Sequence, residues 1–512
     1  MDLDTSSIPF LISIFMFVFM FVFAFVFVFV PVLFRTGKPS TDLPPGPRKL
    51  PFIGNLHLLA GSALPHHTLA NLANKYGPLM HLKLGQIDAV VVSSPETAEE
   101  ILKRNDVVFA SRPSLLATEI NCYGNTDIAF SPYGDYWRQL RKICTLQLLT
   151  ARRVQSFRPI REGEVSELCN WIALQEGSTI NLTEKLITTN LNIMIMAAFG
   201  KKSGEVGKLK DIIMEAHELV TVFNIVDVYP SLKFLRLFSG MRKKIEEHHR
   251  HLNRITESVI EERRRQGDAA EGGGGGEDEG DFLGVMLKLQ GDGSLEIPLT
   301  TDNIKAVLLD GAGVESSTTT VDWAMAEMLK NPTILQKAQD EVRGVFDGKN
   351  YVDESCFHEL NYLKLVIKET LRLHPPGPLL LPRQSREPCA INGYQIPSKT
   401  WVLVNAWAIG RDPKHWKDAE CFKPERFLEK IVDFKANTFD YIPFGAGRRI
   451  CPGIGFGIAN IEIELATLLY HFDWILPHGM EPQELDMTEL SGMSGRRKCS
   501  FNVIPIIRRP LL

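Results

Sequence analysis

The chain has 512 residues, 44% hydrophobic and 23% charged, the proportions of an ordinary globular protein rather than a disordered or fibrous one. Its formal net charge of -4 gives no sign of nucleic-acid binding. Length alone would allow about three domains, but no long linker divides the sequence, and its eight cysteines are scattered without a disulfide framework, as in a reducing compartment.

Residues 8–34 form an uninterrupted apolar run rich in Phe and Val, long enough at ~1.5 Å per residue to cross a hydrocarbon core of ~30 Å. Alternating Val and Phe favours a strand in water. A lone strand in lipid would leave its backbone unpaired, so a helical transmembrane span is expected. A cleaved signal peptide fits poorly, because the segment is too long and no small-residue cleavage site follows it. Asp2 and Asp4 precede the run, whereas Arg35, Lys38, Arg48 and Lys49 follow it, which leaves the C-terminal bulk on the cytosolic side. Residues 43–47, Leu-Pro-Pro-Gly-Pro, form a stiff hinge. The expected organisation is an anchor over 1–35, a hinge over 36–50 and one globular domain over 51–512.

Short apolar runs predict strands at 79–84 and 89–92. Trp137 and Arg141 are four apart and so share a helix face. Residues 241–265 read as a long, highly charged helix. Its His248, His249 and His251 lie amid Lys, Arg and Glu, which favours a solvated face over a metal site. Residues 266–281 hold five consecutive glycines and surrounding acids, a flexible loop that lacks the Lys-Ser/Thr of a phosphate loop. A helix is expected over 302–329, and another over 363–373 that stops before Pro375 and Pro376. On the second, Glu369 and Arg372 are three apart and face the same way, and Arg426 or a backbone carbonyl can be the third partner that a buried charge pair needs. Strands follow at 394–396, 400–404 and 501–507. The fold expected is mainly α with a small β-sheet region.

The decisive segment is residues 444–453, Phe-Gly-Ala-Gly-Arg-Arg-Ile-Cys-Pro-Gly. A thiolate on iron needs shielding from water and hydrogen-bond donors, which closely approaching glycine backbone provides. Phe444 can cover such a sulfur, Arg449 can meet a haem propionate, and Cys451 is the candidate axial ligand. With this spacing the chain resembles the cytochrome P-450 superfamily over nearly its whole length.

That resemblance implies a mainly helical fold around haem b, with the haem between the helix over 302–329 and the one after Cys451. Glu369, Arg372 and Arg426 match a structural triad behind the haem. Trp137, Arg141 and Arg383 match its propionate contacts. Residues 312–318 match a distal-helix segment in which small residues open a groove and the pair Glu315 and Ser316 handles protons, since oxygen cleavage consumes two of them. Electrons would come from NADPH through a separate NADPH-cytochrome P-450 reductase, because no nucleotide-binding βαβ unit is present. The implied reaction oxidises a C–H bond of a hydrophobic substrate with O2. A haem-thiolate isomerase or dehydratase, which uses no O2, would not need Glu315 and Ser316. The apolar N-terminus resembles microsomal members and implies the endoplasmic reticulum membrane.

The chain departs from the family pattern in two places. Ser316 replaces the usual threonine, and two apolar residues are missing between Asp310 and Gly311, which rotates residues 306–310 by ~200° against the following helix. The segments implied as pocket walls, 114–120, 222–226, 306–316, 378–381 and 491–493, are largely aliphatic. The motif details look most like plant members that oxidise terpenoids, alkaloids or phenolics, and a terpenoid is the expected substrate.

Overall fold

The computed structural model describes residues 8–24, 42–59, 64–202, 212, 225–232, 240–270, 280–309, 313–349, 351–430, 432–435, 437–490, 492 and 494–510. The chain divides into two compact units, Met1–Leu43 and Pro44–Leu512.

In the first unit, helix α1 (Ile8–Ala24) carries no charge and stacks its phenylalanines at i, i+4: Phe15 on Phe19 at 6.5 Å between ring centroids, and Phe19 on Phe23 at 6.3 Å. The run is helical here despite the β preference of Val and Phe. Its 17 residues extend about 26 Å. Among the described residues no helix is long and apolar enough to cross a membrane, and residues 25–34 of the expected span lie outside them.

The second unit opens with α2 (Pro65–Tyr76), whose first turn accepts proline because that N–H has no helical partner. The strands β1 (Leu79–Leu84) and β2 (Ile87–Val92) form a hairpin closed by the pair Leu84 and Ile87. Its turn uses Gly85 at φ +57°, and a Cβ there would stand 2.7 Å from the Val228 carbonyl. Helices α3 (Leu116–Asn121), α4 (Asp135–Ile143) and α5 (Arg158–Ala173) precede the short β3 (Ile180–Asn181) and α6 (Leu182–Phe199). Next come α7 (Gly240–Ala270), α8 (Phe282–Gly291), α9 (Thr301–Leu309), α10 (Gly313–Lys330) and α11 (Asn361–Leu373). Strands β4 (Arg383–Gln384), β5 (Cys389–Ile391), β6 (Tyr394–Ile396) and β7 (Trp401–Val404) lead to α12 (Ile454–His471), β8 (Phe472–Ile475) and β9 (Asn502–Ile507).

Helix α10 runs through the main core because its apolar residues recur at i, i+3, i+4 and i+7. Val321, Ala324, Met325 and Met328 are fully buried against Leu182 and Leu186 of α6, Val366 and Ile367 of α11, and Leu465 and Leu468 of α12. Each of the larger side chains contributes about 1.5–3 kcal/mol by leaving water. The four-stranded sheet has the order β1-β2-β7-β4, with β2 and β7 parallel and β4 antiparallel to β7. Alternate residues bury both of its faces: Val90, Val92, Val402 and Val404 on one, Val91, Trp401 and Leu403 on the other. The register sets Arg383 opposite Val402.

Several expectations change. The helix expected over 302–329 is described as α9 and α10 on either side of residues 310–312, which lie outside the described residues. The loop expected from residue 266 begins later, since α7 continues to Ala270. Residues 271–279 are outside the described set. Asp281 then caps α8 by accepting from the Gly284 N–H at 2.8 Å, and its carboxylate pairs with Arg263. The solvated-face reading fails for His248. Ile245, Leu252, Ile255 and Val259 form an inward stripe on α7, and His248 falls on it, buried, with Nε2 2.7 Å from the Ile212 carbonyl. His249 packs edge-on to Tyr123, and His251 is exposed.

Candidate haem site

Cys451 lies just before the 18-residue helix α12, whose N-terminal dipole favours a thiolate. The loop that delivers it needs residues without side chains. Gly445 and Gly447 sit at φ +71° and +68°, and a Cβ on Gly447 would collide with the Leu102 carbonyl at 2.1 Å. The Cys451 N–H donates to the Phe444 carbonyl at 3.0 Å, which folds the loop back on itself, and Phe444 meets Phe434 edge-on at 5.4 Å. A Cβ at Gly453 would stand 3.9 Å from the Cys451 sulfur, in ordinary contact with it.

Four of the expected propionate residues surround this loop. Arg449 donates from Nε to the Ala110 carbonyl at 2.7 Å and from Nη2 to the Ser131 carbonyl at 2.5 Å, with its guanidinium 4.1 Å from the Trp137 ring centroid. Trp137 donates its indole N–H to the Ile128 carbonyl at 3.0 Å. Arg141 donates to the Ile450 carbonyl at 2.7 Å, one residue from the cysteine. Arg383 donates to Asp106 at 3.0 Å and to the Ala446 carbonyl at 2.6 Å.

Arg383 is paired with Asp106, whereas Arg141 and Arg449 bond to backbone carbonyls. Burial, then the Arg383 charge, brings Arg449 down to about 9, although Asp127 pulls it the other way and Arg141 adds to the depression. Burial also lowers Arg141 and Arg383. In the same region burial pushes Asp127 up to about 6 against the backbone donors that hold its carboxylate. Three desolvated cations around one thiol-bearing loop call for an anion, and a haem with two propionates has the matching charge and the matching iron ligand. The residues present therefore fit the group.

Behind the loop, Glu369 and Arg372 are fully buried and joined by two parallel bonds, Nε to Oε2 at 2.7 Å and Nη2 to Oε1 at 2.8 Å. Arg426 donates to Glu369 Oε1 at 2.9 Å, and the Lys423 N–H donates to the same oxygen at 2.7 Å. The other Arg372 donors reach the carbonyls of Gly410, Ala419 and Cys421 at 2.6, 2.7 and 3.1 Å. Backbone carbonyls thus satisfy the remaining Arg372 donors, while Arg426, itself only a donor, bonds the Glu369 carboxylate instead.

On α10, Glu315 accepts from Ser494 Oγ at 2.6 Å, and the Ser316 carbonyl accepts from Thr320 Oγ1 at 2.8 Å. A Cβ at Gly457 would stand 3.7 Å from Ser317 Oγ, which measures how closely α10 approaches α12. Sequence reasoning missed Asp106, which also accepts from the Arg448 N–H at 2.8 Å, and Ser494. No motif marks either one. Of the expected pocket walls, Leu116, Ala117 and Ile120 of α3 meet Val226 and join Met241 and Ile245 of α7 in one aliphatic cluster. Asp227 fastens it by accepting from the Leu116 N–H at 2.8 Å. Residues 222–224, 310–312, 491 and 493 lie outside the described residues.

The cytochrome P450 family model matches residues 44–502. Salviol synthase of Salvia pomifera is 53% identical over 92% of this chain and 92% of its own. Premnaspirodiene oxygenase of Hyoscyamus muticus is 52% identical over 92% of this chain and 94% of its own, and tabersonine 6,7-epoxidase isoform 1 of Catharanthus roseus is 50% identical over 91% of both. A zebra fish cytochrome P450 structure with progesterone superposes with a TM-score of 0.75 at 24% identity, covering 87% of this chain and 100% of that one, and so shares the fold. The matched family, the relatives and a cysteine loop ringed by arginines lead to one conclusion: the chain belongs to the cytochrome P450 family and is a haem b monooxygenase.

Proposed function

We propose that this monooxygenase is held at the endoplasmic reticulum membrane by residues 8–34 with its second unit in the cytosol, takes electrons from NADPH-cytochrome P-450 reductase, and oxidises a terpenoid. The observation that carries the haem assignment is the convergence of the buried Arg383 and Arg449 and the half-buried Arg141 on the loop of Cys451. In this reading Cys451 would bind the iron as a thiolate, Arg141, Arg383, Arg449 and Trp137 would hold the propionates, and Phe444 would cover the sulfur. The triad of Glu369, Arg372 and Arg426 fixes the segments behind the loop. When bound, the haem supplies the oxidising power, with electrons delivered from outside the chain.

Glu315 and Ser316 stand where α10 comes close to α12, and a hydroxyl backed by a carboxylate moves protons without admitting bulk water. Ser494 holds the Glu315 carboxylate in place. The aliphatic cluster of α3 and α7 orients a substrate by shape rather than by polar contacts, which suits a hydrocarbon. Premnaspirodiene oxygenase, similar over nearly its whole length, is named for a diene, and that favours the terpenoid reading over an alkaloid or phenolic one.

The test uses the full chain reconstituted with a plant reductase, NADPH and O2, and a panel of terpene hydrocarbons, alkaloids and phenolics. A terpene product carrying one added oxygen atom, dependent on both reductase and NADPH, is expected. Turnover of alkaloids or phenolics alone would contradict the terpenoid assignment.

A further inference from the structure

Away from the haem site, α2 presents two consecutive histidines to the C-terminal hairpin. His66 Nε2 lies 2.6 Å from Glu489 Oε2, and His67 Nε2 lies 3.8 Å from the same oxygen. The three donor atoms stand within 4.8 Å of one another. The donors of a tetrahedral zinc ion with bonds of 2.0–2.2 Å are ~3.4 Å apart, so closing on an ion needs shifts of about 1 Å or less per side chain.

The cluster is built rather than incidental. His66 is 1% exposed, its carbonyl accepts from Asn405 Nδ2 at 2.8 Å, and its ring meets the Trp407 ring at 5.4 Å. His67 lies over the same Trp407 ring at 4.1 Å, and its Nε2 is shielded from solvent without a hydrogen bond. A buried ring nitrogen with no partner, directed at a carboxylate, is a costly arrangement that an ion would satisfy.

We propose that His66, His67 and Glu489 form a binding site for one divalent transition-metal ion that accepts two imidazoles and a carboxylate, zinc being the type case. The ion would tie α2 to a hairpin closed by Leu490 N–H on the Arg496 carbonyl at 2.8 Å and Lys498 N–H on the Thr488 carbonyl at 2.9 Å. That hairpin also carries Ser494, the partner of Glu315, so the site fastens one edge of the proposed proton-handling group.

The test is zinc binding to the full-length haem protein in detergent, carrying no added histidines and stripped of metal by chelator, read by equilibrium dialysis with elemental mass spectrometry. Wild type should hold one zinc equivalent more than His67→Ala and Glu489→Gln, or bind it at least tenfold more tightly. His251→Ala, which removes an exposed histidine of α7, should match wild type. Haem content checks the folding of each variant, and two variants on separate elements keep one misfolded protein from deciding the result. Equal zinc stoichiometry and affinity in wild type and both cluster variants would overturn the site, as would an equal loss in His251→Ala.

Discussion

Glu464 on α12 is fully buried with neither carboxyl oxygen in a hydrogen bond, and burial pushes its pKa up to about 8, although the neighbouring Asn190 opposes that. Asn190 Oδ1 is itself buried without a donor, so a protonated Glu464 suits this place better than a charged one. The ordinary value is 4.5, which means the folded state holds a proton that the unfolded chain releases. Stability is therefore intact below about pH 4.5 and falls as pH rises towards 8, by about 3 kcal/mol at pH 7. Glu464→Gln should raise the urea midpoint at pH 7 and above, and leave it nearly unchanged near pH 4.5. Equal midpoints at all pH values would mean that the carboxyl is solvated.

The triad makes the opposite case. Arg372 donates five bonds with no exposed atom to spare, so Arg372→Lys, which loses the planar fork, should cost about 3–5 kcal/mol and yield protein that retains little haem. By contrast, Lys103 and Glu99 are an exposed pair at 3.0 Å whose loss should shift stability by less than ~1 kcal/mol. Urea midpoints and haem content of the two variants check this ordering.

At the scale of elements, α10 carries both the core stripe and a run of hydroxyls from Ser316 to Thr320. Thr320 Oγ1 bonds back to the Ser316 carbonyl, so that hydroxyl is engaged within the helix. If Ser316 moves protons, Ser316→Ala should keep haem and substrate binding but divert electrons from product to peroxide several-fold, seen by following NADPH, peroxide and product together. Unchanged coupling would remove Ser316 from the chemistry.

The elements also explain what the sequence could reveal. Strands at 79–84, 394–396, 400–404 and 501–507 are legible because they are short runs rich in aliphatic, β-branched and aromatic residues, and β1, β6, β7 and β9 fall within a residue of them. Two-residue strands such as β4 hold too little pattern to read, and β8 directly continues α12, so no turn residue announces it. Asp106 is invisible for another reason: its partners Arg383 and Arg448 lie hundreds of residues away and meet it only in the folded chain. His248 looked solvated because its neighbours in sequence are charged, whereas its neighbours every third or fourth residue are apolar.

For the whole molecule, two compact units imply that the second folds without the first. Deleting residues 1–34 should release the remainder from membranes, or leave it only peripherally attached, with its haem retained. A deletion protein that still needs detergent for extraction would show that the attachment lies elsewhere.

The central claim is that Cys451, at the head of α12, binds the haem iron as a thiolate. The carbon monoxide difference spectrum of the reduced full-length protein tests it most directly. Wild type should show the long-wavelength Soret band of a thiolate-ligated haem, and Cys451→Ala should lose it. A thiolate-type band of normal intensity in Cys451→Ala would contradict the account.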